Sequence, residues 1–75
     1  MAVDLLWENK VKGLLKAELK RRNVTYQELV SKLALLGVVE SPENIANKIS
    51  RGKFTAVFMM QCLEAIDCQT LRLGE

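Results

Sequence analysis

A chain of 75 residues, 49% hydrophobic and 27% charged, has the balance of a single folded domain, residues 1–75, with a core supplying only ~3–5 kcal/mol. It has no histidine, which removes Cys/His zinc sites and His-based acid–base catalysis, and its two cysteines are too few for a disulfide framework, so a reducing cytoplasm is expected. The net charge of +2 is uneven: +3 over residues 1–24, −1 over 25–40, +2 over 41–55 and −2 over 56–75, a polarity suited to an anionic partner on one side.

The opening Met-Ala-Val-Asp-Leu-Leu-Trp-Glu lacks the basic and apolar regions of a signal peptide, and no run approaches membrane-spanning length. Residues 4–22 read as a first helix with Trp7, Val11, Leu14 and Leu15 on its apolar arc. Lys12, Lys16 and Lys20 follow one another at i+4 on the opposite side and read as a solvated stripe. Glu18 falls on the apolar arc, where an unpaired carboxylate would be too costly to persist. Arg22, one turn on, is its expected partner. After Asn23-Val24, Thr25-Tyr-Gln-Glu28 fits a capping box that opens a second helix running to Leu36. Tyr26, Leu29, Val30, Leu33 and Leu36 point inward; Gln27, Glu28, Ser31 and Lys32 point outward. Gly37 ends the helix, and at least one of Val38 and Val39 is expected to fill the core.

Ser41-Pro42 then has the form of a helix start, with Ser41 as cap and Pro42 at the first helical position. Gly52 closes that helix, predicted over 42–51. Ile45 and Ile49 lie one turn apart on its inner side, while Asn44, Asn47, Lys48 and Arg51 share another face. Side-chain amides read base edges and cations meet phosphates. This spacing therefore predicts a DNA recognition helix, with Asn44, Asn47 and Lys48 as base readers. Arg51 and Lys53 are expected at phosphates, together with Thr25 and Gln27, whose backbone lies at a helix start. Glu43 opposes that reading unless it accepts from a cytosine amine. Thr55 caps a fourth helix over residues 56–67, with Phe58, Met59, Cys62, Leu63 and Ile66 inward. Val57 and Met60, with Leu71 and Leu73 of the alternating tail, are surplus apolar surface and a candidate dimer contact.

Thr25-x-x-Glu-Leu29, Leu33, Gly37-Val38, Ser41, Ile45 and Arg51-Gly-Lys53, followed by an apolar helix, resemble the Cro/repressor-type helix-turn-helix domain over residues 25–67. The resemblance implies an all-α, lambda-repressor-like bundle of four to five helices, in which the helix matching 42–51 enters the major groove. The N-terminus of the helix matching 26–36, and the loop holding Arg51-Gly52-Lys53, would then abut phosphate. The Leu-to-Gly distance exceeds the usual one by about six residues, which lengthens the second helix and the turn. The whole chain is also similar to a family of short bacterial proteins known as a domain of unknown function, whose Asn-Lys-Ile-Ser-Arg-Gly-Lys-Phe core matches residues 47–54.

The expectation is a small DNA-binding transcriptional regulator acting on double-stranded DNA. No pair among its cysteines, serines, lysines and carboxylates has a catalytic spacing, so neither enzyme activity, nor a cofactor, metal or small-molecule substrate is expected. The rival reading is a helical protein-interaction or homodimerisation module built on Val57, Met60 and the tail.

Overall fold

Side-chain oxygens close three helix starts in the computed structural model, which describes residues 2–74. Thr25 Oγ1 accepts from the Glu28 N–H at 3.1 Å, and Glu28 Oε1 accepts in return from the Thr25 N–H at 2.9 Å. Ser41 Oγ accepts from the Asn44 N–H at 3.1 Å, and Thr55 Oγ1 from the Phe58 N–H at 3.0 Å. Each cap satisfies a donor that the helix itself cannot, and contributes ~1 kcal/mol. The elements are α1 (Ala2–Arg21), α2 (Tyr26–Leu35), α3 (Pro42–Arg51) and α4 (Ala56–Ala65). The fold is all-helical, with no strand among the described residues. No helix among them is long and apolar enough to cross a membrane.

One core unites the four helices. Leu15 and Leu19 come from α1, Leu29 and Leu33 from α2, Ile45 and Ile49 from α3, and Phe58, Cys62 and Leu63 from α4, with Ile66 just beyond it. α2 packs on α3 and α4, and α1 on α3. Val38 packs against this core, whereas Val39 is exposed.

The structure corrects the sequence reading of the first helix. Its buried side runs through Leu15, Glu18 and Leu19, while Trp7 is 61% exposed. Residues 3–7 are exposed whichever way they point, so this stretch overhangs the body and has no neighbour to bury an apolar arc against. Leu36 is also exposed rather than inward. It caps α2, its N–H donating to the Leu33 carbonyl and the Gly37 N–H to the Ala34 carbonyl, because the helix ends one residue earlier than predicted. α4 ends two residues early, at Ala65, and Asp67 takes the left-handed conformation at φ 60°.

Glu18 is the buried charged residue of the described chain, and its predicted partner is in place. Arg22 Nη1 donates to Glu18 Oε1, and Arg21 Nη1 donates to Oε2 at 2.5 Å. Burial pushes the Glu18 carboxyl up, but the hydrogen bonds and charges of Arg21 and Arg22 outweigh it and hold the group below its ordinary value.

Candidate nucleic-acid interface

The position of α3 is set from both ends. Ile45 and Ile49 are fully buried and fix its rotation. At its C-terminus Gly52 turns left-handed at φ 68°, and its N–H donates to the Ile49 and Lys48 carbonyls. α1 lies directly against that turn: a β-carbon on Gly52 would stand 2.6 Å from the Glu8 carbonyl oxygen. Lys12 Nζ donates to the Ser50 carbonyl at 3.0 Å, putting a cation at the negative end of the α3 dipole. Lys53 Nζ lies 3.8 Å from Glu8 Oε2. Lys12 therefore belongs to the α1–α3 junction and not to a purely solvated stripe, while Lys16 and Lys20 remain exposed.

Asn44, Asn47, Lys48 and Arg51 all lie on the exposed side of α3, as their spacing predicts, but they do not behave alike. The two asparagine side chains make no hydrogen bond within the described residues. Lys48 Nζ is turned back toward the body, donating to Glu40 Oε2 at 2.5 Å and sitting 4.7 Å from the centre of the Phe58 ring. Phe58 is in turn edge-on to Phe54 at 5.5 Å. Lys48, Arg51 and Lys53 border one small hollow of about 160 Å³ with Phe54. The three cations thus gather at the C-terminal end of α3, and the two amides stand toward its start and middle.

At the start of α2 the capping box consumes the Thr25 N–H, and the Thr25 hydroxyl lies against the Glu28 carboxylate. Thr25 serves the cap, contrary to the expected free donor there. The N–H groups of Tyr26 and Gln27, the first two of the helix, have no intrahelical acceptor and keep that role. Among the candidate contact residues of the far side, Val57, Met60 and Leu73 are each 65% exposed. Leu71 is not free in the same way, since it packs against the core. With Val11, Leu14, Phe54 and Met59 it lines a hollow of about 380 Å³.

Cys62 is fully buried, and burial together with the Glu40 charge pushes its thiol up to about 12, with Lys48 opposing. Such a thiol is a small core hydrophobe and no nucleophile at neutral pH. Glu8 and Glu40 are the residues of this region that sequence reasoning missed, and Phe58, expected and found in the core, also faces the Lys48 ammonium. The partners of the two glutamates lie in other elements, so no helical spacing marks them.

Residues 7–71 match the family model described as Domain of unknown function (DUF6471). The chain belongs to that family. The match takes in α1 from Trp7, the whole of α2, α3 and α4, and the tail as far as Leu71, so every residue of the α3 surface lies inside it. No curated protein and no solved structure matches the chain.

Proposed function

We propose that this domain binds double-stranded DNA sequence-specifically, as a small transcriptional regulator with α3 in the major groove. The observation that carries the reading is the division of labour on α3. Two unpaired amides stand on a helix whose ends are both anchored, and three cations gather at its C-terminal end. Asn44 and Asn47 have the chemistry for bidentate contacts to adenine, each discriminating by ~1–3 kcal/mol. Arg51 and Lys53 supply phosphate contacts, joined by the Tyr26 and Gln27 N–H groups at the start of α2. Lys48 reaches a base or phosphate only by leaving Glu40 and the Phe58 ring, so its contribution is smaller than that of Arg51. The resemblance to Cro/repressor-type helix-turn-helix domains supports the same docking. The connection from Leu36 to Ser41 is longer than the usual three- to four-residue turn, and it holds the Glu40 that pairs with Lys48.

The test is a pair of variants read over a range of salt. Non-specific duplex is bound with a dissociation constant of roughly 10⁻⁴–10⁻⁶ M at physiological salt. Lys53→Ala weakens binding to every sequence alike and lowers the salt slope by about 1. Asn47→Ala leaves the slope alone and flattens the preference between sites. A surface that responds to the lysine and ignores the asparagine is a merely basic one and contradicts sequence-specific docking.

A second reading, a protein-interaction module, is favoured by Val57, Met60 and Leu73, large apolar side chains that each stay exposed. Duplex DNA that leaves residues 41–53 unperturbed, with a protein partner that shifts Val57 and Met60, would decide for it.

A further inference from the structure

We propose that the trough between α1 and the C-terminal tail is a binding site for a phosphate monoester. The inference is independent of DNA binding. The trough measures about 640 Å³ and takes its walls from two elements, with Lys10 and Arg21 on α1 and Arg72 on the tail. Gly13, Leu14 and Ala17 lie between these cations, and Glu18 is the one carboxylate at the border among the described residues. Lys10, Gly13, Ala17 and Arg21 follow at spacings of three and four, on the side of α1 away from the Lys12–Ser50 contact. The trough and the α3 surface are therefore separate.

Charge decides the class of ligand. Three cations against one carboxylate leave +2 at the trough, and a phosphate monoester carries about −1.5 to −2 at pH 7. Glu18 does not repel it as a bare carboxylate would. One of its oxygens accepts from Arg21 Nη1 at 2.5 Å and the other from Arg22 Nη1. The same contact holds the Arg21 guanidinium at the trough while its side chain stays 66% exposed, which leaves its remaining N–H donors for a ligand. Lys10 and Arg72 have no ion-pair partner within the described residues, whereas Lys48 and Lys53 on the α3 side each lie beside a glutamate.

Shape points to a ligand larger than the phosphate itself. Gly13 stands inside the 20-residue α1, where glycine is destabilising relative to alanine. No close neighbour requires it, since nothing lies within 4 Å of where its β-carbon would be. Its missing side chain opens the floor of the trough and, with the small Ala17, leaves room for the carbon part of the ester over Leu14. The volume falls within the range of small-ligand clefts, about 300–1,000 Å³. Arg21 and Arg72 present planar forks that suit phosphate oxygens, and Lys10, roughly 16 Å along the axis of α1 from Arg21, adds a point charge at the other end.

The test follows backbone amide signals of the full chain, without DNA, as ribose 5-phosphate is added. Signals of Lys10, Gly13, Ala17, Arg21 and Arg72 shift and saturate, with a dissociation constant of roughly 0.1–1 mM. Arg72→Gln, on the exposed tail, raises that constant about tenfold. Lys32→Gln, the same loss of charge on α2 and outside the trough, leaves it within about twofold. Gly13→Leu keeps every charge and the fold but fills the floor, and it weakens ribose 5-phosphate more than inorganic phosphate. Affinity also falls between pH 7 and about 5, as the phosphate takes up its second proton, and the chain has no histidine to mimic that fall. Vesicles of phosphatidylcholine with phosphatidic acid distinguish the sources of the ester: capture that Arg72→Gln abolishes, with ribose 5-phosphate bound no better than inorganic phosphate, assigns the site to a lipid headgroup. Trough signals unmoved by ~10 mM ribose 5-phosphate, with no capture by the vesicles, overturn the proposal. Equal weakening by Arg72→Gln and Lys32→Gln overturns it too, since attraction to net charge alone has that signature. So do trough signals that answer to duplex DNA and not to either phosphate monoester.

Discussion

α3 and the first half of α1 are both exposed helical surfaces, and they are built in opposite ways. α3 is fixed at its start by Ser41, at its end by Gly52, and along its length by Ile45 and Ile49, and what it leaves outside is polar. The overhang of α1 is fixed only where Glu8 and Lys12 meet the α3 turn, and what it leaves outside is apolar. The difference bears on the kind of partner each surface suits. A polar face held rigid loses little entropy on ordering and suits recognition of another polar surface. An apolar face with nothing behind it is stabilised only by being covered. Both surfaces meet at the same junction, so the strongest tests act there.

The largest expected effect is that of Gly52→Ala. The substitution forces a β-carbon onto the Glu8 carbonyl in a left-handed conformation, and about 3 kcal/mol of stability is lost. Gly37 is left-handed too, at φ 82°, but a β-carbon there meets nothing, so Gly37→Ala costs only about 1 kcal/mol of backbone strain. Urea melts of the two variants check this, and equal losses would mean that the α1–α3 junction contributes little.

Next comes Arg22→Ala, which leaves the buried Glu18 to Arg21 and the weak donor Cys68 Sγ at 3.7 Å and lowers the melting temperature by roughly 10 °C. The same cluster carries a pH dependence. The folded carboxyl lies below its ordinary value of 4.5, so the unfolded chain binds the proton first as pH falls. Its contribution is therefore present above pH 4.5 and lost as pH drops through the lower, folded value. Glu18→Gln is less stable at neutral pH and loses this part of the acid dependence. Melts of both chains between pH 3 and 7, as roughly the range spanned by carboxylates, that fall in parallel would show that other groups control acid unfolding.

The smallest effect concerns the cysteines. Cys68 is partly exposed and reacts with a disulfide reagent in the native state, whereas Cys62, buried with its thiol pushed up to about 12, reacts only through global opening. Equal rates for the two thiols would mean that the core around α4 opens locally.

What was legible in the sequence was local. The caps at Thr25, Ser41 and Thr55 and the closing Gly52 are encoded within four residues of where they act, and all four are where the sequence implies. The inward pair Ile45 and Ile49 and the Glu18–Arg22 pairing follow from one helical turn. The rotation of α1 was not legible, because its burial depends on where α3 lies, and the Lys12–Ser50 contact joins residues 38 apart. The apolar arc that includes Trp7 reports that these side chains seek cover but not whether this chain supplies it. The spacing puts Lys48 on the outer face, where its backbone is, but Glu40 and Phe58 draw its ammonium back.

The central claim, that α3 reads duplex DNA, is tested most directly by following the backbone amide signals of the full chain while a DNA duplex is added at low salt. The account predicts that shifts concentrate in residues 41–53 and at Tyr26 and Gln27, saturate, and are reversed by salt. Signals from those residues that stay in place, while DNA is in excess and the chain remains folded, would contradict it.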